Sequence, residues 1–189
     1  MRFVTSVVAF TAVLALIGMS ISDAGSSASP ESRLKGTFAG NTSVFCDYTA
    51  SSGGTVASNS QYQGTSGTYY FDGVGGLTIE VLANNFNVPA GTRSTSKVTA
   101  IGTYEVNADN SVTTDIVSDS VTIDGTGLGN TTHVPSIKGT LLMVGDELFR
   151  MPAGPPAEET VITTTPTPTT TTQYRKCSRV GTLRKIPSQ

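Results

Sequence analysis

Tryptophan is absent from the 189-residue chain, and histidine occurs once, at position 133. One imidazole leaves a single place for a Ser-His-Asp or Cys-His arrangement, and it supplies none of the close ligand pairs that zinc sites use. His133 lies in Thr131-Thr132-His133-Val134-Pro135, a polar run that reads as a solvated loop. Charged residues make up only 14% of the chain, and the formal charge is −2. With Tyr174 the only aromatic beside the basic residues, that balance argues against a nucleic-acid partner. No catalytic, cofactor or metal constellation emerges, and the expectation is a non-enzymatic protein without a cofactor.

Long apolar runs are missing too, except at the start. Arg2 precedes an apolar stretch over 3–19, and Ser22-Asp23-Ala24 follows with small residues at the two positions a signal peptidase reads. Residues 1–24 are therefore expected to be a signal peptide, with Ala28 as a second cleavage position. No cysteine stands near either cut, which excludes acylation of a new N-terminal cysteine. No later stretch is long and apolar enough for a membrane helix, so the expected location is secreted or periplasmic. The two cysteines, Cys46 and Cys177, would then pair in an oxidising compartment. A loop of about 130 residues closed by such a bond sets an upper figure of roughly 5 kcal/mol in the chain-entropy account.

Helical periodicity is absent after the signal. Thr, Ser, Gly and Val dominate instead, residue types that favour pleated strands and tight turns. The tripeptide Gly-Thr-apolar occurs five times, beginning at Gly36, Gly67, Gly102, Gly139 and Gly181, in steps of 31, 35, 37 and 42 residues. Each step suits two strands and their turns, and a glycine inside a strand marks a bend of the kind a closing barrel needs. Turn chemistry falls between the strands, at Asp72-Gly73-Val74-Gly75-Gly76, Asn107-Ala108-Asp109-Asn110 and Gly145-Asp146. Leu77, Ile79 and Val81 alternate with Thr78 and Glu80, and Val98, Ala100, Gly102, Tyr104 and Val106 share one face of the next strand. Within 112–124 the apolar residues change phase between Ile116 and Val117, where a bulge is expected. The phase of the last strand, 177–186, is ambiguous, because Val180 and Leu183 differ. The fold expected is all-β: a single antiparallel up-and-down barrel or curled meander of about eight strands over 33–189, after a flexible N-terminus at 25–32. Residues 51–66 read as a mobile loop, and the Thr/Pro-rich run 163–172 as an extended excursion.

Several clusters bear on chemistry. Glu105, Asp109, Asp115, Asp119 and Asp124 crowd one hairpin, with no Lys or Arg between Lys97 and Lys138, but their spacing matches no EF-hand loop. The glycine-rich run 124–130 lacks the Lys-Ser/Thr of a phosphate loop. Arg175, Lys176, Arg179, Arg184 and Lys185 read as an exposed final strand charged to protect its edge. Asn41 and Asn130 sit in N-glycosylation patterns that count only in a suitable host.

The segments Gly67-Thr68-Tyr69-Tyr70-Phe71-Asp72-Gly73-Val74-Gly75, Tyr104-Glu105-Val106-Asn107-Ala108-Asp109-Asn110-Ser111 and Cys177-Ser178-Arg179-Val180-Gly181-Thr182-Leu183 resemble those of exported bacterial lipocalin-like (calycin-like) small β-barrel proteins of unknown function. The resemblance implies a small barrel and brings no catalytic residues. The lipocalin G-x-W signature is missing along with tryptophan.

Alternation predicts an inward face that includes Tyr69, Phe71, Leu77, Ile79, Val81, Tyr104 and Val106. These residues either fill the barrel as a core or line a lumen for one small hydrophobic ligand. Small eight-strand barrels are often filled by their own side chains, which favours the first. An envelope or surface protein acting through its loops is the alternative. An enzyme with a lumenal site, like that of allene-oxide-cyclase-like barrels, would rest on fold analogy alone.

Overall fold

The computed structural model describes residues 29–49, 51–54, 56–145, 147–152 and 155–187. The expected signal peptide, 1–24, and residues 25–28 lie outside the described residues. Nine strands follow a short 3-10 turn at Pro30–Arg33: β1 Lys35–Thr49, β2 Val56–Asp72, β3 Gly76–Asn87, β4 Thr92–Val106, β5 Ser111–Gly125, β6 Thr131–Val144, β7 Leu148–Met151, β8 Ala157–Thr164 and β9 Thr170–Lys185. Every neighbouring pair is antiparallel. β9 pairs with β1 from Phe38↔Lys185 to Thr49↔Tyr174, which closes the sheet into a ring. β7 and β8 occupy one place in that ring, both between β6 and β9, so nine strands fill eight places. The break between them falls where Pro152, Pro155 and Pro156 cannot donate to a ladder.

Period-2 alternation divides the sheet into an inner and an outer face. In β3, Leu77, Ile79, Val81 and Ala83 are buried while Thr78, Glu80, Leu82 and Asn84 are exposed. The Gly-Thr-apolar repeat has a clear structural meaning. Its apolar members Phe38, Tyr69, Tyr104, Leu141 and Leu183 are all buried in one core cluster, on β1, β2, β4, β6 and β9. In the four later copies the threonine between faces solvent.

At Gly67 and Gly102 the neighbouring strand crosses too closely for any side chain. A Cβ on Gly102 would stand 2.1 Å from the Asp115 carbonyl oxygen and 2.6 Å from Ile116 Cα; one on Gly67 would meet the Glu80 carbonyl at 2.2 Å. Gly64, on β2, has open space around it. Gly102→Ala is expected to lower stability by about 1–3 kcal/mol, because backbone and not a flexible side chain must yield. Gly64→Ala is the control and should stay within about 0.5 kcal/mol. Urea midpoints of the two variants compare them directly, and equal midpoints would contradict the close approach.

One end of the barrel is plugged. Phe38 meets Phe71 and Phe149 edge-on, at centroid distances of 5.3 and 5.1 Å, and Phe71 meets Tyr104 at 5.1 Å. Leu34, fully buried, joins this cluster beneath the 3-10 turn. The Tyr104 hydroxyl lies 3.1 Å from the Glu31 and Leu34 carbonyls, to which it donates, and accepts from the Gly73 N–H at 3.1 Å. Arg33 adds a bond to Asn110 Oδ1 at 2.9 Å. Leu34 and the Glu31 carbonyl are thus tied into the plug.

Three further expectations need correction. Residues 56–66, read as loop, belong to β2, because the strand is paired with β1 and, from Gln61 on, with β3 as well. The Thr/Pro run is a hairpin tip and not an excursion: Thr163–Thr164 end β8, Thr170–Thr172 open β9, and both prolines fall in the turn between. Thr165 N–H donates to the Thr169 carbonyl at 3.1 Å, and the Thr164 and Thr170 hydroxyls pair at 3.2 Å. β5 keeps one phase through Ile116 and Val117, with Val117, Val121 and Ile123 facing solvent. The bulge lies on its partner instead, since Ile116 pairs with Ile137 and Ser118 with Val134; Pro135, with no N–H to give, sits in the extra residues. That bulge puts Val134, Ile137 and Leu141 on one face. In β9, Leu183 points inward and Val180 outward.

Candidate functional site

Above the aromatic plug the lumen is not filled. A cavity of about 150 Å³ lies in the middle of the barrel, toward the end where the chain turns at 88–91, 126–130 and 165–169. Its apolar wall includes Phe71, Leu77, Ile79, Val81, Ala100 and Leu141. Of the seven residues expected to face inward, all are buried. Tyr69, Phe71, Leu77, Ile79 and Val81 line the cavity, whereas Tyr104 and Val106 belong to the plug.

Toward that end the lining turns polar. Thr42, Gln63, Thr65, Ser118, Ser120 and Thr132 line it. The Thr42 and Thr65 hydroxyls are 2.5 Å apart, and both hydrogen-bond toward Tyr69. Burial pushes the Tyr69 hydroxyl above the ordinary phenol range, while those bonds and the charge of Arg179 pull it back.

Charge enters the lumen from β8 and β9. Glu159 is 2% exposed and stands opposite Arg175 in the β8–β9 ladder. Arg175 holds Glu159 Oε2 through Nε and Nη2, both at 2.9 Å, and Arg179 Nη2 donates to Oε1. The side chains of Arg175 and Arg179 are only 11% and 16% exposed, and both line the cavity. Burial draws the Arg179 guanidinium below its ordinary range, against the pull of Glu159. Arg179, Thr114, Gly139 and Met151 also border a second pocket on the β6–β9 side, beside Pro152 and Pro155, so the guanidinium is reached from two directions.

This cluster was missed in the sequence. The basic run near the C-terminus read as an exposed edge strand, yet β9 is paired on both sides and has no free edge. Arg175 and Arg179 share the inward face with Cys177 and Leu183, while Arg184 faces solvent. The signal available was parity: two arginines in step with a half-cystine and a buried leucine on one strand.

Cys46 and Cys177 are directly opposed in the β1–β9 ladder, with Cα atoms 4.1 Å apart, and form a disulfide. It faces inward beside Val44. His133 lies on β6, not in a loop, and its Nδ1 is 2.8 Å from Asp119 Oδ1 on the outer face. The side chains of His133 and Asp119 are 42% and 67% exposed, outside the lumen. Asp109 accepts from the Ser111 N–H and hydroxyl at 2.9 and 2.6 Å, which closes the β4–β5 turn and holds its carboxyl below the usual range. Asp115 accepts from Ser136 at 2.9 Å. Among the described residues, no group of three or more His, Cys, Asp or Glu side chains could hold a metal ion.

Comparison with protein-family models, with curated proteins and with solved structures finds no match to this chain.

Proposed function

We propose that this is an exported binding protein that takes one small apolar molecule into its barrel. The observation that carries the reading is the cavity of about 150 Å³ inside the barrel, with Phe71, Leu77, Ile79, Val81, Ala100 and Leu141 in its wall. A filled barrel would leave no such space, and a cavity of about 150 Å³ lined by Leu, Ile and Phe suffices for benzene. The aromatic plug supports the reading, because it makes one end a rigid floor without using the lumen above. Export is supported by the disulfide.

Neutral aromatic probes test the proposal. Toluene and indole are expected to bind with one site per chain and to stabilise the fold by mass action, by about 2.7 kcal/mol at a hundredfold excess over Kd, which a raised melting temperature reports. Ala100, buried in the cavity wall, gives the control. Ala100→Phe should fill the space and abolish the shift. No saturable binding of either probe to the folded wild type would make the lumen a core with a packing defect, and the proposal would fall.

A further inference from the structure

The lumen holds two cations against one anion. Among the described residues, Arg175 and Arg179 are the only charged side chains that line the cavity, and Glu159 is the acid between them. Glu159 is saturated: both oxygens are taken by the arginines. One guanidinium charge is therefore left over within the barrel wall, where a charge without a counter-ion costs several kcal/mol.

The division of labour between the arginines indicates which charge is the surplus. Arg175 grips Glu159 through two nitrogens and stands directly opposite it in the ladder. Arg179 gives Glu159 one nitrogen from further along the strand, and it borders both the cavity and the second pocket. It lines the same cavity as Tyr69 and the paired hydroxyls of Thr42 and Thr65. A guanidinium with donors to spare, beside a phenol and two threonines, is a donor set for a carboxylate. The apolar wall of the cavity accepts a body about the size of one aromatic ring.

We propose that the ligand is a small monocarboxylic acid with a compact apolar body, its carboxylate on Arg179 beside Tyr69 and its body against Leu77, Ile79 and Val81. This deepens the lumenal reading above and rests on it. The anion supplies the missing charge and neutralises the barrel interior. A neutral molecule of the same shape fills the same space and leaves Arg179 in surplus.

Matched pairs of probes separate the two ideas. Phenylacetate and 2-phenylethanol share a body and differ in charge, as do benzoate and benzyl alcohol. Titration calorimetry at pH 7 is expected to give each acid at least tenfold tighter binding than its alcohol. The preference should shrink as pH falls below the acid's own pKa, near 4–5, where the ligand loses its charge and Arg179 keeps its own. Arg179→Met, which leaves Glu159 paired with Arg175, should bring the acid down to the affinity of the alcohol. If acid and alcohol bind equally well to the wild type, the carboxylate assignment is overturned while the lumenal site stands. If neither pair binds, both readings fail. If the acid keeps its tenfold advantage in a folded Arg179→Met variant, the anion is held elsewhere and the assignment to Arg179 is wrong.

Discussion

Glu159→Gln is expected to lower the stability of the protein by about 3–5 kcal/mol, the loss typical of breaking a buried ion pair from one side. The substitution keeps the shape of the side chain and removes only its charge. Glu159 is 2% exposed and bridges two guanidinium groups that are themselves mostly buried. Without it, Arg175 and Arg179 face each other across a neutral amide, both desolvated and neither compensated. The pair itself need not contribute much net stability, because taking three charges out of water costs about as much as their attraction returns. The loss comes from what is left behind. The reverse substitution therefore behaves differently: Arg179→Met leaves Glu159 in its two-nitrogen contact with Arg175, and about 1 kcal/mol or less should be lost. Urea unfolding of both variants measures the asymmetry. A drop below about 1 kcal/mol for Glu159→Gln would mean that the arginines escape to water, and that the lumen is wetter than the exposure of these side chains implies.

The architecture was legible because a barrel imposes one rule on every strand. Alternation at 77–81 and 98–106 put Leu77, Ile79, Val81, Tyr104 and Val106 on the inner face, and the apolar members of the Gly-Thr-apolar repeat are all in the core, with the neighbouring backbone close at Gly67, Gly102 and Gly181. What was not legible lay in the polar half. Composition turned Ser-, Gln- and Thr-rich strand into loop, at 56–66 and at 163–172. Polar residues usually signal exposed turns, but the inner face at this end of the barrel is itself polar, and the ladder overrides the local preference. The same prejudice hid Glu159, Arg175 and Arg179. A charged residue is read as exposed unless a partner is known, and the partner here, Glu159, sits on the neighbouring strand β8. The bulge was assigned to the wrong strand for a related reason. Val117, Val121 and Ile123 are apolar yet face solvent, so hydrophobicity alone mimics a phase change in β5, whereas Pro135, which sits in the irregularity, belongs to β6.

Removal of the disulfide by a Cys46→Ala/Cys177→Ala double substitution is expected to cost about 2–5 kcal/mol without changing the fold. The bond joins β1 to β9, the first and last strands, across 131 residues of sequence. It lies at the seam that closes the ring. In the folded barrel that seam is also held by a ladder running from Phe38↔Lys185 to Thr49↔Tyr174, so the native structure does not depend on the covalent link for its geometry. The unfolded chain does. Opening the cross-link frees a loop of this length to explore conformations it was denied, and the gain belongs to the denatured ensemble. Far-UV circular dichroism of the variant should therefore match the wild type, while its urea midpoint falls. Reductant should move the wild type toward the variant and leave the variant unmoved. Because both half-cystines are 2% exposed, reduction of the folded wild type is expected to wait for the barrel to open. Thiol release measured at increasing urea would follow the unfolding transition. Rapid release in native buffer would instead place the bond at an exposed, freely accessible edge.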